Sequence, residues 1–422
     1  MRIGVIGLGY VGLPLGLRFC EAGCDVVGFD IDETKCHQLN AGDSYIRHIG
    51  PERVKAAKNS GRFEATADFS RVAEVDAVII CVPTPLGRHR EPDMSYIEGT
   101  VKTIEPYVRA GQTISLESTT YPGTTEEFLV AMCERRGLVP GKDVFVVYSP
   151  EREDPGNPQF ATHNIPKLIA GYTPACLERG LEIYRHAIER LEPVSSPVVA
   201  EMAKLFENIF RAVNIGLANE VKVLCHRMGV DPYEVIEAAG SKPFGFMKFY
   251  PGPGLGGHCI PIDPFYLTWK AHEYGVRTRF IELAGEINSG MPHYVIDRIQ
   301  LALNGRRRSV NGSKILVLGV AYKKNVDDLR ESPSLEIIQM LKGLGAEVSY
   351  HDPYFPALPK VRRHDIPLRS VELSDENLAA ADAVVIATDH DQFDYGRIRE
   401  KAPLVIDCRG RLQADGVRVV QA

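Results

Sequence analysis

The chain has no cysteines in CxxC spacing and no Cys/His cluster at metal-ligand spacing; its nine Cys are scattered singly. That excludes a zinc module and a disulfide scaffold and fits a reducing cytosol, with most thiols expected to be inert core residues. No run approaches the ~18 continuous apolar residues of a membrane span. Met1-Arg2 and the apolar stretch behind them imitate a short signal peptide, but Gly4, Gly7, Gly9, Gly12 and Gly16 interrupt it, which an inserting helix would disfavour. An excess of charge of one sign is also missing: 49 Lys plus Arg stand against 55 Asp plus Glu, a net charge of −6. There is no global pull toward nucleic acid or an anionic membrane, and any anionic ligand must be caught by a local basic cluster. Short-period repeats and low-complexity tracts are absent too. What is present is 422 residues, 44% hydrophobic and 25% charged, the balance of an ordinary globular chain. At about 150 residues per domain this is enough for two or three domains.

The first half alternates short apolar runs with helix-length segments. Arg2–Gly7, Asp25–Asp30, Asp76–Val82, Gln112–Glu117, Asp143–Tyr148 and Pro166–Ala170 read as strands, so βα units and a parallel sheet are expected. From about residue 195 to 300 the pattern is helical. Ser196 and Pro197 suit the N-cap and first position of a helix that runs to Gly229, and Asp231-Pro232 with Glu234 restarts one in capping-box style. Strands resume at Lys314–Val320, Glu347–His351, Ala383–Ala387 and Leu404–Asp407. The expected fold is α/β: two doubly wound parallel-sheet domains, residues 1–195 and 304–422, joined by a long central helix within a helical domain, 196–303.

Gly7-Leu8-Gly9-Tyr10-Val11-Gly12 fits GxGxxG after a strand and before the helix Leu13–Glu21, and the next strand ends in Asp30. Gly7 permits the tight turn, Gly9 lets backbone amides approach a pyrophosphate, and Gly12 lets the helix pack on the sheet, whose helix N-terminus favours the anion. Asp30 would accept from a ribose 2′-hydroxyl and repel a 2′-phosphate, so this Rossmann-like turn points to NAD rather than NADP. Cys81-Val82-Pro83-Thr84 and Ser118-Thr119 end strands at the carboxyl edge, where such ligands sit.

Among the nine cysteines only Cys259 lies in a segment suited to close backbone approach, Pro251-Gly252-Pro253-Gly254-Leu255-Gly256-Gly257-His258-Cys259, with Asp263 four residues on. Beside a nicotinamide domain a thiol can add to an aldehyde; the thiohemiacetal loses a second hydride to become a thioester, and water releases the acid. Lys204 and Asn208 are one turn apart on the long helix, so they share a face and could together stabilise an oxyanion. The plainer alternative is a solvated lysine with Glu201 and Glu207 as exposed ion-pair partners. Ser149-Pro150-Glu151-Arg152-Glu153-Asp154-Pro155-Gly156 follows a strand and concentrates charge there; a carboxylate in it could serve as general base, or the segment could be a solvated loop. In the second α/β unit Lys323, Lys324 and Arg330, with the helix N-terminus at Ser332-Pro333, offer anion affinity without GxGxxG, which suits a phosphate-bearing substrate. Asp327 and Asp328 could instead pair with some of these cations.

These motifs, taken in order, resemble the UDP-glucose/GDP-mannose dehydrogenase family along the whole chain. The Cys loop, GxGxGGxCxxxD from Gly252 to Asp263, is the most specific. The resemblance implies NAD-dependent, four-electron oxidation of C6 of a nucleotide sugar, with Cys259 as nucleophile, Lys204 and Asn208 holding the oxyanion, and Asp263 supporting the lysine and a water. Thr119 and Glu151 would handle that water and proton transfer. It implies cofactor contacts at Gly7, Gly9, Tyr10, Val11, Gly12, Asp30, Pro83, Thr84, Ser118, Thr119 and Arg330. Substrate contacts fall at Glu151, Arg152, Lys204, Asn208, Tyr250, Gly252, Leu255, Gly256 and Lys323. No metal is implied, residues 304–422 would bind the UDP moiety, and the central helices would form a homodimer of a cytoplasmic enzyme. Ser149–Gly156 together with His258 and Pro261-Ile262-Asp263-Pro264 look most like bacterial UDP-N-acetylglucosamine 6-dehydrogenases of surface-polysaccharide synthesis; UDP-N-acetylmannosamine, UDP-GalNAc and UDP-glucose are the alternatives. His258 and the Pro243-Phe244 region depart from UDP-glucose enzymes, leaving Lys242, Lys248 or Arg279 for any contact with the partner's substrate. A β-hydroxyacid dehydrogenase, which needs no thiol, and a catalytically inactive nucleotide-sugar binder are the readings from other classes.

Overall fold

The computed structural model describes residues 1–46, 49–87, 89–152, 163–257 and 260–422. The chain forms two compact units, Met1–Glu207 with Phe265–Arg277, and Asn208–Pro264 with Thr278–Ala422. In the first, strands β1 (Arg2–Ile6), β2 (Asp25–Phe29), β3 (Phe63–Thr66), β4 (Ala77–Ile80), β5 (Thr113–Leu116), β6 (Phe145–Tyr148), β7 (Lys167–Gly171) and β8 (Leu191–Pro193) make one sheet in the order β3-β2-β1-β4-β5-β6-β7-β8. Neighbours are parallel except β6 and β7, which run antiparallel, a departure from the all-parallel sheet expected. The central strands are buried along their length, as in AVII of β4 and TISL of β5, because helices cover both faces. Strand order reverses between β1 and β4, which opens a crevice at their carboxyl ends.

The second unit has β9 (Lys314–Leu318), β10 (Glu347–His351), β11 (Ala383–Ile386), β12 (Val405–Asp407) and β13 (Val419–Gln421), all parallel, in the order β10-β9-β11-β12-β13. Three strands escape the periodicity reading: β3 (FEAT), β8 (LEP) and β13 (VVQ). Each is an edge strand of three or four residues, held by its single neighbour rather than by its own composition.

The long helix is Pro197–Met228, 32 residues, and Gly229 ends it at φ +71°. Asp231 caps the next helix, Pro232–Ala239, by accepting the Tyr233 N–H at 2.8 Å. Ser332 sits at the expected N-cap of Pro333–Gly343, but its hydroxyl donates to the Val320 carbonyl at 2.7 Å and no side-chain cap forms. Of the eight described cysteines seven are buried, and among the described residues no helix is long and apolar enough to cross a membrane.

Candidate active site

Gly7, at φ +90°, starts the turn after β1; a Cβ there would lie 2.7 Å from the Cys81 carbonyl oxygen. A Cβ on Gly12 would lie 2.0 Å from the Gly7 carbonyl oxygen, so the helix Gly12–Glu21 reaches the strand only without a side chain. Gly9 differs: a Cβ there would meet no protein atom within 4 Å. Nothing in the protein's own packing demands glycine at 9, so its bare backbone leaves the helix N-terminus open to a ligand phosphate. That space fits the pyrophosphate of a dinucleotide.

Asp30 is buried, accepts the Leu8 N–H at 3.0 Å and the Asp32 N–H at 3.0 Å, and lies 3.6 Å from Lys35 Nζ. The acidic residue therefore braces the glycine turn as well as standing at its mouth. Tyr45, which the motif does not announce, donates its hydroxyl to the Leu8 carbonyl. Tyr10 and Val11 are half-buried, Pro83 is exposed, Thr84 is buried, and Ser118 donates to the Val82 carbonyl at 2.7 Å, tying the ends of β4 and β5 together. Thr119, next in sequence, is half-buried.

At the same edge, the carboxyl end of β5 holds a buried cluster that sequence reasoning missed. Glu117 is bonded to Lys167 Nζ at 2.6 Å and accepts the Tyr184 hydroxyl at 2.6 Å, and Tyr184 in turn meets the Ser115 hydroxyl at 2.8 Å. Lys167 Nζ also lies 3.5 Å from Glu151 and donates to the Pro150 carbonyl at 3.2 Å. Burial opposes charge on Glu117 and raises its pKa to about 7, with Lys167 pulling the other way. Burial alone would lower the pKa of Lys167; the Glu117 and Glu151 carboxylates outweigh it and move it above the ordinary lysine value. Arg152 pairs with Glu207 at 2.6 Å and donates to the Pro166 carbonyl at 2.7 Å. Glu153, Asp154, Pro155 and Gly156 lie outside the described residues.

The solvated reading of Lys204 does not hold: it is 7% exposed, and Asn208 on the next turn is 4% exposed. Nor is Glu201 a surface partner. Fully buried, it accepts the N–H groups of Gly123 (2.6 Å) and Thr125 (2.9 Å) and the Thr125 hydroxyl (2.7 Å), which fixes the start of the segment after Thr119. Asn208 Nδ2 donates to Asp263 Oδ2 at 2.5 Å, and Asp263, 3% exposed, opens the helix Asp263–Glu273. Two motifs 55 residues apart thus meet through buried polar groups. Cys259 and His258 lie outside the described residues.

Within the second unit the glycine loop is held close. Gly252 donates its N–H to Asn219 Oδ1 at 2.9 Å, and a Cβ there would crowd Arg409 Nη1 at 2.8 Å. Gly257 donates to the Arg330 carbonyl at 2.8 Å, a Cβ on Gly256 would sit 2.5 Å from Tyr322 Cβ, and Leu255 is half-buried. Tyr250 stands apart from these contacts: it is 48% exposed, with its hydroxyl on Glu237. Lys323 is half-buried on the loop after β9; Arg330 pairs with Asp328 (2.6 Å), the local pairing that this acidic neighbour allowed, whereas Lys324 pairs with the distant Asp391 (3.1 Å). That loop is anchored by Asp352, which accepts the Val320 N–H at 2.7 Å and bonds His390 Nε2 at 3.0 Å, while the Asn325 N–H donates to His390 Nδ1 at 3.0 Å. An Nδ1 that accepts a backbone N–H leaves Nε2 as the ring nitrogen that donates to the Asp352 carboxylate. Asn219, Arg409, Asp352 and His390 carried no local sequence signal; only the paired turns reveal them.

Residues 1–188 match the NAD binding domain of the UDP-glucose/GDP-mannose dehydrogenase family, 198–290 its central domain and 316–414 its UDP binding domain. The chain is 34% identical to a UDP-N-acetyl-D-glucosamine 6-dehydrogenase of Pseudomonas aeruginosa, over 93% of this chain and 91% of that one. It is 37% identical to a UDP-N-acetyl-D-mannosamine dehydrogenase of Pyrococcus horikoshii, over 93% and 90%. A solved UDP-D-ManNAc dehydrogenase structure from Pyrococcus horikoshii superposes with a TM-score of 0.90 at 33% identity, covering 100% of this chain and 99% of that one. A glycine turn open at Gly9, a buried Asn208–Asp263 pair and three successive domain matches have one explanation: the chain belongs to the UDP-glucose/GDP-mannose dehydrogenase family and is an NAD-dependent UDP-sugar dehydrogenase.

Proposed function

We propose that the protein oxidises C6 of a UDP-N-acetylhexosamine, UDP-GlcNAc before its epimers, from the alcohol to the uronic acid, for surface-polysaccharide synthesis in the cytoplasm. The observation that carries the reading is the 2.5 Å bond from Asn208 to Asp263, which joins the Asn208 position of the long helix to the carboxylate four residues past Cys259 in sequence. Bound NAD supplies the hydride acceptor for both oxidations. In this reading Cys259 adds to the aldehyde carbon, Lys204 and Asn208 hold the oxygen that becomes anionic, and Asp263 keeps the Asn208 amide aimed. Glu151, with Thr119, takes a proton from the water that cleaves the thioester; the sulfur leaves as thiolate and the acid is released. Arg152, Tyr250, Gly252, Leu255, Gly256 and Lys323 serve the substrate, and Arg330 the cofactor. The net change consumes one water and two NAD+, and yields one carboxylate, two NADH and three protons.

The test is NADH release with UDP-GlcNAc, UDP-ManNAc, UDP-GalNAc and UDP-glucose. UDP-GlcNAc is expected to give the highest kcat/KM and two NADH per sugar. One NADH with free aldehyde would support the simpler hydroxyacid-type chemistry, and a different preferred sugar would move the specificity.

The long helix also supports a homodimer. Phe206, Phe210, Leu217, Leu224 and Met228 are 43–66% exposed, and at ~100° per residue they fall on one face within ~40° of each other. A continuous exposed apolar stripe of this kind marks an interface. Sedimentation should give a dimer that Leu217→Asp with Leu224→Asp dissociates; a monomeric parent protein would remove this part of the reading.

A further inference from the structure

Lys167 has no part in the chemistry above, yet among the described residues it is the most enclosed cation at the carboxyl edge of the first sheet, with a side chain only 5% exposed. It opens β7 and faces groups from every element around it. Glu117 comes from the carboxyl end of β5, Cys81 from that of β4, Tyr184 from the helix Pro174–Tyr184, and Glu151 and the Pro150 carbonyl from the segment after β6. Its Nζ also lies 5.7 Å from the centre of the Tyr184 ring.

An ammonium taken out of water costs several kcal/mol unless compensated, and the compensation here is unequal. Glu117 is wholly enclosed and committed: one oxygen takes Lys167, the other takes Tyr184. Glu151, whose side chain is 16% exposed, is the most exposed member of the trio. Its other oxygen accepts the Arg152 N–H at 2.5 Å, and Arg152 is itself fixed by Glu207 and the Pro166 carbonyl. Glu151 is therefore held from behind by a cation whose own position is set by a buried carboxylate and a tyrosine.

We infer that Lys167 is a positioning residue for Glu151: anchored by Glu117, it aims the Glu151 carboxylate at the water that cleaves the thioester. The inference rests on the reading of Glu151 as the group that serves that water. It places Lys167 in the second half of the reaction alone, because the two hydride transfers precede hydrolysis. A lysine that merely stapled β5 to β7 would affect both halves alike.

The experiment is rapid-mixing kinetics on the full-length enzyme with UDP-GlcNAc, or with whichever UDP-sugar the panel shows to turn over, together with intact-mass detection of the enzyme-bound acyl group. Glu151→Gln tests the underlying reading: it should keep a burst of two NADH per site and accumulate the acyl-enzyme, and failure to do so would discard the role of Glu151 itself. Lys167→Met with Glu117→Gln removes the buried charges together, leaves an amide oxygen at position 117 to accept from Tyr184, and so avoids a lone buried ion. It should keep the burst and slow hydrolysis by about tenfold or more, part of the ~10²–10⁴-fold worth of a positioned general base. Glu117→Gln alone leaves Lys167 on Glu151 and should hydrolyse within about threefold of the parent, as should Lys167→Arg, small losses on the scale where ~1.4 kcal/mol is tenfold. Three outcomes would overturn the inference while leaving the Glu151 reading intact: equal hydrolysis rates in the double variant and Glu117→Gln, loss of burst and hydrolysis together, or an accumulating acyl-enzyme in Glu117→Gln. The last two apply even if the double variant does not fold, since in Glu117→Gln the amide oxygen can still accept from Lys167 while the amide N–H donates to the Tyr184 hydroxyl, which then donates to Ser115.

Discussion

Replacing Cys259 by serine is expected to lower formation of the uronic acid by about 10³-fold or more while leaving UDP-sugar binding within a few-fold, the scale seen when a covalent nucleophile is removed. A neutral serine hydroxyl is a far poorer nucleophile than a thiolate. The first oxidation, alcohol to aldehyde, needs no sulfur. The variant should therefore release at most one NADH per sugar, and aldehyde should be trappable with hydroxylamine. Near-parent acid formation would end the covalent mechanism; unchanged binding with stalled chemistry, read by calorimetry and NADH absorbance, is the result it requires.

Removal of the Lys204 ammonium should cost about 10²-fold or more in kcat, the measured scale for deleting one oxyanion donor. The argument starts from burial. At 7% exposure the side chain has given up most of its water, and one turn away Asn208 is locked to Asp263 at 2.5 Å. Such a group stabilises an anion strongly because little solvent screens it and little reorganisation is needed. Lys204→Ala and Lys204→Met should fall together, since Met keeps the stem packing and loses only the charge. If Met restored the rate, the contribution of Lys204 would be packing; if both variants were as fast as the parent, the ammonium would have no place in the chemistry. KM for the UDP-sugar should change less than kcat, because the oxyanion exists only along the reaction path.

Local chemistry was legible where a residue's job is done by its immediate neighbours. The glycine turn after β1 could be read because Gly7 and Gly12 answer to contacts within five residues or across one sheet register. The long helix could be read because a proline at its start and a glycine at its end are backbone constraints. The buried β-strands could be read from continuous apolar runs, whereas β3, β8 and β13 could not, since an edge strand of three or four residues takes its geometry from the partner it pairs with. Glu201 shows the limit most plainly. From sequence it is a helix carboxylate with an exposed partner; in the fold it is a buried cap for backbone N–H groups 76 and 78 residues away.

The order of α/β units, the dinucleotide turn, the helical spine and the candidate reactive residues follow from the amino-acid sequence alone, because periodicity, capping and glycine steric freedom act over a few residues. Tertiary structure alone decided which polar groups are buried and what compensates them: Asn208 on Asp263, Lys167 between Glu117 and Glu151, Asp352 on His390. The physical reason is desolvation. A charge acquires its partner only when folding removes its water, and the partner that arrives is chosen by the sheet and helix packing rather than by any spacing along the chain.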